Sequence, residues 1–177
     1  MNFYYFKLNF KLIALNIQSY FKKINHRLAI NNISKIDNSI IIFFPIDENH
    51  CKIASYKFNS LNDLSEKGIE VNICLSDKYV KFIESINCNK YTYIKNGFNI
   101  KKLNNKIDFH KRYDMIIDLN PTPIIDIMEM TKKINAIYKI GFKSIISDFF
   151  YNIQLDIPEN KFIETSYERI KNILKIS

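Results

Sequence analysis

Residues 39–45 read Ser-Ile-Ile-Ile-Phe-Phe-Pro, an unbroken β-branched and aromatic run that Pro45 closes. A short run that is apolar at every position, not at alternate ones, is the pattern of a strand covered on both faces, which points to a parallel sheet. Outward from it, helix and strand patterns alternate. Residues 50–66 show helical spacing through Ile53, Tyr56, Leu61 and Leu64, and Gly68 stands where a helix C-cap is expected. Residues 69–75, IEVNICL, read as a second strand, after which Ser76 or Asp77 can cap a helix through Tyr79, Phe82, Ile83 and Ile86. Residues 91–94 predict a short third strand, and 98–103 a helical turn. YDMIIDL, 113–119, predicts the fourth strand, with Thr122-Pro123 as N-cap and first helical residue of a helix through Ile124, Ile127, Met128 and Ile134. AIYKIGF, 136–142, is a fifth strand, FFYNIQLDI, 149–157, a sixth extended segment, and 162–176 a terminal helix. Strands separated by helical patterns of this length imply right-handed crossovers. The expected fold is therefore α/β: a Rossmann-like parallel sheet of five or six strands with helices on both faces.

Before that sheet lies a segment of a different kind. Phe3, Phe6, Phe10, Ile13, Ile17, Phe21 and Ile24 recur every three or four residues, one face of a helix that Leu8, Leu12 and Leu15 widen. Lys7, Lys11, Asn9 and Asn16 interrupt it well short of the ~20 apolar residues of a membrane span, and no small-residue cleavage site marks a signal peptide. The sequence thus divides into a basic amphipathic helical extension, residues 1–36, and one domain, residues 37–177. The charge follows that division. The formal net charge is +8, of which Lys7, Lys11, Lys22, Lys23, Arg27 and Lys35 supply +6 with no acid among residues 1–36, leaving 20 basic against 18 acidic groups in the rest. Two readings of the extension stay open. It packs on its own domain or on a second subunit, or it lies on an anionic membrane surface, with Lys7, Lys11, Lys22, Lys23 and Arg27 on the headgroups. Abundant Ile, Asn, Lys, Phe and Tyr also fit a compositional bias that raises lysine with no anionic partner.

The composition excludes several chemistries. Gly68, Gly97 and Gly141 lie far apart, so there is neither a G-x-G-x-x-G nor a Walker A loop, and no cofactor is expected. Cys51, Cys74 and Cys88 are odd in number and form no C-x-x-C; they read as reduced, mostly buried thiols of a cytoplasmic chain. His26, His50 and His110 are isolated, which argues against a metal site. KYTYIK, 90–95, and FHKRY, 109–113, interleave basic and aromatic residues, but a near-neutral domain lacks the concentrated charge that nucleic acid requires. Ser55, Ser60 and Ser76 have no nucleophile elbow around them.

In an open parallel sheet, ligands bind beyond the carboxyl ends of the strands. That rule selects Pro45-Ile46-Asp47-Glu48-Asn49-His50, then Ser76-Asp77-Lys78, then Asp118-Leu119-Asn120-Pro121, and Gly141. A carboxylate among them can serve as general base toward a hydroxyl nucleophile. Asp47, Asp77 and Asn120 also stand where caps or turn residues are wanted. Asp118 closes an apolar strand, where an unpaired carboxylate would be expensive, so it needs a hydrogen-bonding partner, and a loop backbone is the common one. Asp126 and Glu129, one turn apart, read as a solvated helix face.

RYDMIIDLNP, 112–121, followed by a helix, YKIGF, 138–142, and FFYN, 149–152, resembles glycosyltransferase family 9, the ADP-heptose:lipopolysaccharide heptosyltransferases. FIETSYERIKNIL, 162–174, is similar to the helix that closes the N-terminal domain of that family, and IIIFFPID, 40–47, to its first strand and loop. The resemblance implies the N-terminal half of a two-domain GT-B enzyme, with the donor-binding domain missing. It implies a single domain incomplete as a catalyst, binding an acceptor sugar or lipid or serving as an interaction module. Two alternatives remain: an active transferase whose donor half comes from another chain, and a non-enzymatic scaffold at a membrane surface. The expected partners are a nucleotide sugar or a carbohydrate or lipid acceptor, an anionic membrane at its inner face, and a second copy or a second-half protein. The family loop "S-x-x-G-D" carries the proposed catalytic base. Here the loop reads PIDENH without the glycine, and the matching position falls on Asp47 or His50, with Asp47 expected to keep the role. Asp118, Asn120 and Asp77 are the expected substrate contacts.

Overall fold

The computed structural model describes residues 38–96, 99–104, 107–157 and 162–176. Seven strands form one sheet: β1 (Ser39–Phe43), β2 (Glu70–Ser76), β3 (Asn89–Asn96), β4 (Asn99–Asn104), β5 (Tyr113–Asp118), β6 (Ala136–Phe142) and β7 (Ile153–Leu155), in the order β4-β3-β2-β1-β5-β6-β7. Six run parallel, and β4 alone pairs antiparallel, with β3. The helices are α1 (Glu48–Lys57), α2 (Asn62–Glu66), α3 (Ile125–Lys133) and α4 (Ile163–Leu174), with a 3-10 segment at Asp77–Ile83. The Rossmann-like α/β reading holds.

Strand parity explains the layering. On β1 and directly after it, Ile40, Ile42 and Phe44 face one side and pack with Ala54 and Phe58, Leu64 and Ile83, and Tyr167 and Ile170, so α1, α2, the 3-10 segment and α4 cover that face. Ile41 and Phe43 face the other side and meet Cys74, Ile116, Ile127 and Ile134, where α3 lies. Each of these β1 side chains is fully buried, and an apolar side chain so buried stabilises the fold by about 1.5–3 kcal/mol. That is why the sequence around 39–45 tolerates no polar alternation. Gly68 adopts φ +78° directly after α2, the left-handed C-cap that its position predicts. Lys139 on β6 donates from Nζ to the carbonyls of Thr131 and Lys132 at 2.7 and 3.1 Å, closing the C-terminus of α3.

Five expectations need correction. The helix expected after β2 through Ile86 is only the 3-10 segment Asp77–Ile83, and it starts without a side-chain cap hydrogen bond, so neither Ser76 nor Asp77 caps it. Residues 98–103 belong to no helical turn: Asn99–Asn104 is the edge strand β4, paired with β3 from Asn96↔Asn99 to Thr92↔Asn104 across an irregularity at Ile94/Lys95. Asn96-Gly97, a hairpin dipeptide, was the available signal. The helical stretch 50–66 breaks at Phe58, whose ring is buried between Phe44 and Tyr167. The helix after β5 begins at Ile125, with Ile124 extended as N-cap and no side-chain cap, so Thr122 does not cap it. It starts where Ile125, Ile127 and Met128 can all be buried. The sixth extended segment shrinks to Ile153–Leu155, because Ser147–Phe149 forms a 3-10 turn. The amphipathic extension 1–36, with Lys7, Lys11, Lys22, Lys23 and Arg27, lies outside the described residues.

Candidate functional site

The sheet order fixes where a site can form. From β1 the chain winds outward through β2 and β3, and from β5 it winds the other way through β6 and β7, so the order reverses between β1 and β5. Beyond the carboxyl ends of two such strands a crevice opens, the usual ligand position in open α/β sheets. Phe43 pairs with Asp118 in register, so the loops that begin at Phe44 and Leu119 flank this crevice.

Its floor is polar and fully occupied from within. Asp118 is buried, and its Oδ1 accepts from the Asn120 main-chain N–H at 2.9 Å and from Asn120 Nδ2 at 2.7 Å. Its Oδ2 accepts from the Tyr151 hydroxyl at 2.5 Å. Asn120 Oδ1 in turn accepts from the Ile46 main-chain N–H at 2.9 Å, which ties the loop after β5 to the loop after β1. Two further tyrosines reach the same place: Tyr167 donates to the Leu119 carbonyl at 2.9 Å and Tyr93 to the Phe44 carbonyl at 3.5 Å. Burial raises the Asp118 carboxyl above the usual aspartate range, against the pull of Tyr151 and then Asn120, which favour its ionised form. Burial first, and then the neighbouring Asp118 charge, push the Tyr151 phenol well above its ordinary value, so Tyr151 keeps its proton and donates it.

Tyr151 reaches Asp118 only because residue 141 is glycine. A Cβ on Gly141 would stand 2.4–2.6 Å from the Tyr151 ring, inside any permitted contact. The glycine therefore leaves room for the ring beside β6, and no turn requires it.

The rim is different. Asp47 caps α1, its Oδ1 accepting from the His50 main-chain N–H at 3.0 Å, and the same oxygen lies 3.2 Å from His50 Nδ1. Their side chains are 59% and 37% exposed, so this pair faces solvent at the carboxyl end of β1. Glu48 pairs with Lys52 at 2.7 Å on the next face of the helix. Tyr79 and Phe82, stacked with centroids 5.8 Å apart, lie on the 3-10 segment that packs against α1. Asp77 is exposed after β2 and keeps to its own turn, accepting from Lys78 N–H at 2.8 Å and from Ser76 Oγ at 3.3 Å.

Of the sequence-selected residues, the structure joins Asp118 directly to Asn120 and links both through Ile46 to the loop of Asp47. It leaves Asp77 on a neighbouring turn. The carboxylate partner expected for Asp118 is a backbone N–H, as foreseen, but also two side chains. The sequence does not point to Tyr151, Tyr167 or Tyr93, because a tyrosine in an apolar segment carries no local signal of where its hydroxyl ends. Cys51 and Cys74 are buried, and burial holds the Cys51 thiol up at about 12. Among the described residues, no group of three or more His, Cys, Asp and Glu side chains is placed to hold a metal. No described helix is long and apolar enough to cross a membrane.

No protein-family model matches the sequence, and no curated protein matches it. Among solved structures, the E. coli heptosyltransferase WaaC, determined with ADP, superposes with a TM-score of 0.52 at 13% identity over 78% of this chain. The match covers 48% of that enzyme, so this chain spans about half the length of its structural relative. At such identity the likeness is one of fold. What this chain shares with the heptosyltransferase is a Rossmann-like α/β fold, and any function must be argued from the residues at its carboxyl edge.

Proposed function

We propose that this chain is a glycosyltransferase-like domain that holds the acceptor of a sugar transfer, a carbohydrate or a lipid-linked sugar, at the β1–β5 crevice. In this reading it does not complete the reaction by itself. The observation that carries the proposal is the contrast within the crevice. The polar groups of the floor are met by internal partners, while the Asp47–His50 pair stands open on the rim, in a fold like that of a heptosyltransferase. Exposed acid and imidazole groups suit a hydroxyl-rich ligand, whose edges take hydrogen bonds.

The second reading is an active transferase whose donor half another chain supplies. It is favoured by the structural relative having been solved with ADP. A nucleotide sugar then binds only in the assembled complex. A scaffold role at an anionic membrane, through residues 1–36, is the non-enzymatic alternative.

Calorimetric titration of the purified chain with ADP, UDP and ADP-heptose separates these. The acceptor-domain reading expects no saturable heat from any nucleotide, together with NMR shifts at residues 44–50 on adding a simple pyranoside. Micromolar nucleotide binding by the chain alone overturns it. Liposome binding that falls with salt and vanishes on removing residues 1–36 supports the scaffold instead.

A further inference from the structure

The two faces of the sheet are covered unequally. α1, α2, the 3-10 segment and α4 lie on the face of Ile40 and Ile42, whereas among the described residues α3 is the one helix on the face of Ile41 and Phe43. The connection into β5 explains the difference. β4 runs antiparallel to β3 and so returns the chain to the amino edge of the sheet. Residues 107–112 lead from there into β5 without a helix, and Lys111 pairs with Glu70 at the foot of β2. A parallel step from β3 to β5 would have carried a right-handed crossover, with its helix, over β2 and β1 on the face of Ile41.

That place is nonetheless shielded from solvent. Ile41, Phe43, Cys74 and Tyr93, which the register puts on this face of β1, β2 and β3, are fully buried. Ser39, at the foot of β1 on the same face, is fully buried too, and its Oγ has no hydrogen-bond partner among the described residues. A helix about 10 Å across covers about two strands spaced about 4.8 Å apart. α3 packs on β5, and Lys139 of β6 closes its C-terminus, so it lies over those two strands. From the described loops only Ile46 and Ile107 join this cluster, too few to cover β1, β2 and β3. The shielding is complete within one chain, so the remaining cover comes from the same chain.

We propose that the amphipathic segment of residues 3–24 docks as a helix on this face, over β1, β2 and β3. The inference is independent of the acceptor-site reading. Phe6, Phe10, Ile13 and Ile17 form the centre of one apolar stripe, with Lys11, Lys22 and Lys23 on the other side of the helix. At about 1.5 Å per residue the segment is about 33 Å long, more than the about 23 Å of the seven-residue strand β2. Residues 25–37 link it to Asn38, whose main-chain N–H donates to Asp114 Oδ2 at 2.8 Å between the feet of β1 and β5. The chain therefore enters the domain beside the face that the segment covers.

The test uses the full chain and two of its cysteines. Cys74 lies on this face and Cys51 on the other, both fully buried, so their thiols report the two faces separately. Phe10→Lys and Ile17→Lys each put a charge into the apolar stripe. The expected result is iodoacetamide labelling of Cys74 roughly tenfold or more faster than in the unaltered chain, the effect of losing one such buried side chain on a local opening, with Cys51 unchanged. An unchanged rate at Cys74, or a rise at Cys51 alone, overturns the proposal. Where both rise together the substitution has opened the whole chain, and a second arm decides. There p-benzoylphenylalanine, another aromatic, replaces Phe10, and the dilute full chain is irradiated. Cross-links within one chain to peptides carrying residues 71–76 or 91–93 are expected. Cross-links to α1 or α4, cross-links between chains, or none at all overturn the proposal.

Discussion

Asp118 ends β5 and Asp47 follows the neighbouring strand β1 as the cap of α1, yet their environments are opposite. Asp118 is buried, with both carboxylate oxygens committed to Asn120 and Tyr151. Asp47 is open to solvent and shares one oxygen between a helix cap and an imidazole. A carboxylate at a strand's carboxyl end is thus no evidence of catalysis by itself. What decides is whether the protein has already used its lone pairs. The floor of the crevice is architecture, and the rim keeps its acid and imidazole open to solvent.

That comparison breaks if the floor proves dispensable. Asp118→Ala strands three donors, the Asn120 N–H, the Asn120 amide and the Tyr151 hydroxyl, and is expected to cost about 3–5 kcal/mol in urea unfolding. A cost below about 1 kcal/mol would mean that water or a ligand normally serves these groups. The charge has its own signature. Because burial raises the folded carboxyl above its ordinary range, its contribution is fully present below the unfolded value and is lost as pH rises through the folded one. The stability of the unaltered chain relative to Asp118→Asn should therefore decline from acid toward neutral pH, as melting curves in matched buffers would record.

Gly141→Ala pushes a methyl into the Tyr151 ring and should cost about 1–3 kcal/mol. Exposure of the Tyr151 phenol, followed by its ultraviolet titration, would show that the Asp118 contact is lost with it. On the rim the effects are smaller. Asp47→Ala removes the cap of α1 and costs about 1 kcal/mol, whereas Asp47→Asn retains a capping oxygen and stays within about 0.5 kcal/mol. A large loss of stability in Asp47→Asn would assign Asp47 to the architecture after all. Smallest of all is the Glu70–Lys111 pair at the opposite edge of the sheet, where Lys111 holds the Glu70 carboxyl below its ordinary range. Both side chains are at least a third exposed, so Lys111→Met should cost no more than about 1 kcal/mol. That contribution should fade with added salt and as pH falls through the lowered carboxyl value.

The sequence alone determined the layers of this protein. Residues 39–45, 69–75, 113–119 and 136–142 were legible as strands because β-branched and aromatic residues crowd them, without any alternation in 40–44 where both faces are buried, and Gly68 was legible because a left-handed C-cap favours glycine. Weaker local signals misled: the β4 hairpin has polar, lysine-bearing edge residues, and Thr122-Pro123 offered a cap that the packing of Ile125 and Met128 displaced. The carboxyl-edge rule brought Asp47, Asp118 and Asn120 into view, but it did not sort them. Only tertiary structure could, because one partner of Asp118, Tyr151, lies 33 residues away, while Asn120 reaches back 74 residues to Ile46. Periodicity records which face a side chain takes. It holds no record of which distant hydroxyl or amide will meet it, and that meeting separates a carboxylate that supports the fold from one left open to a ligand.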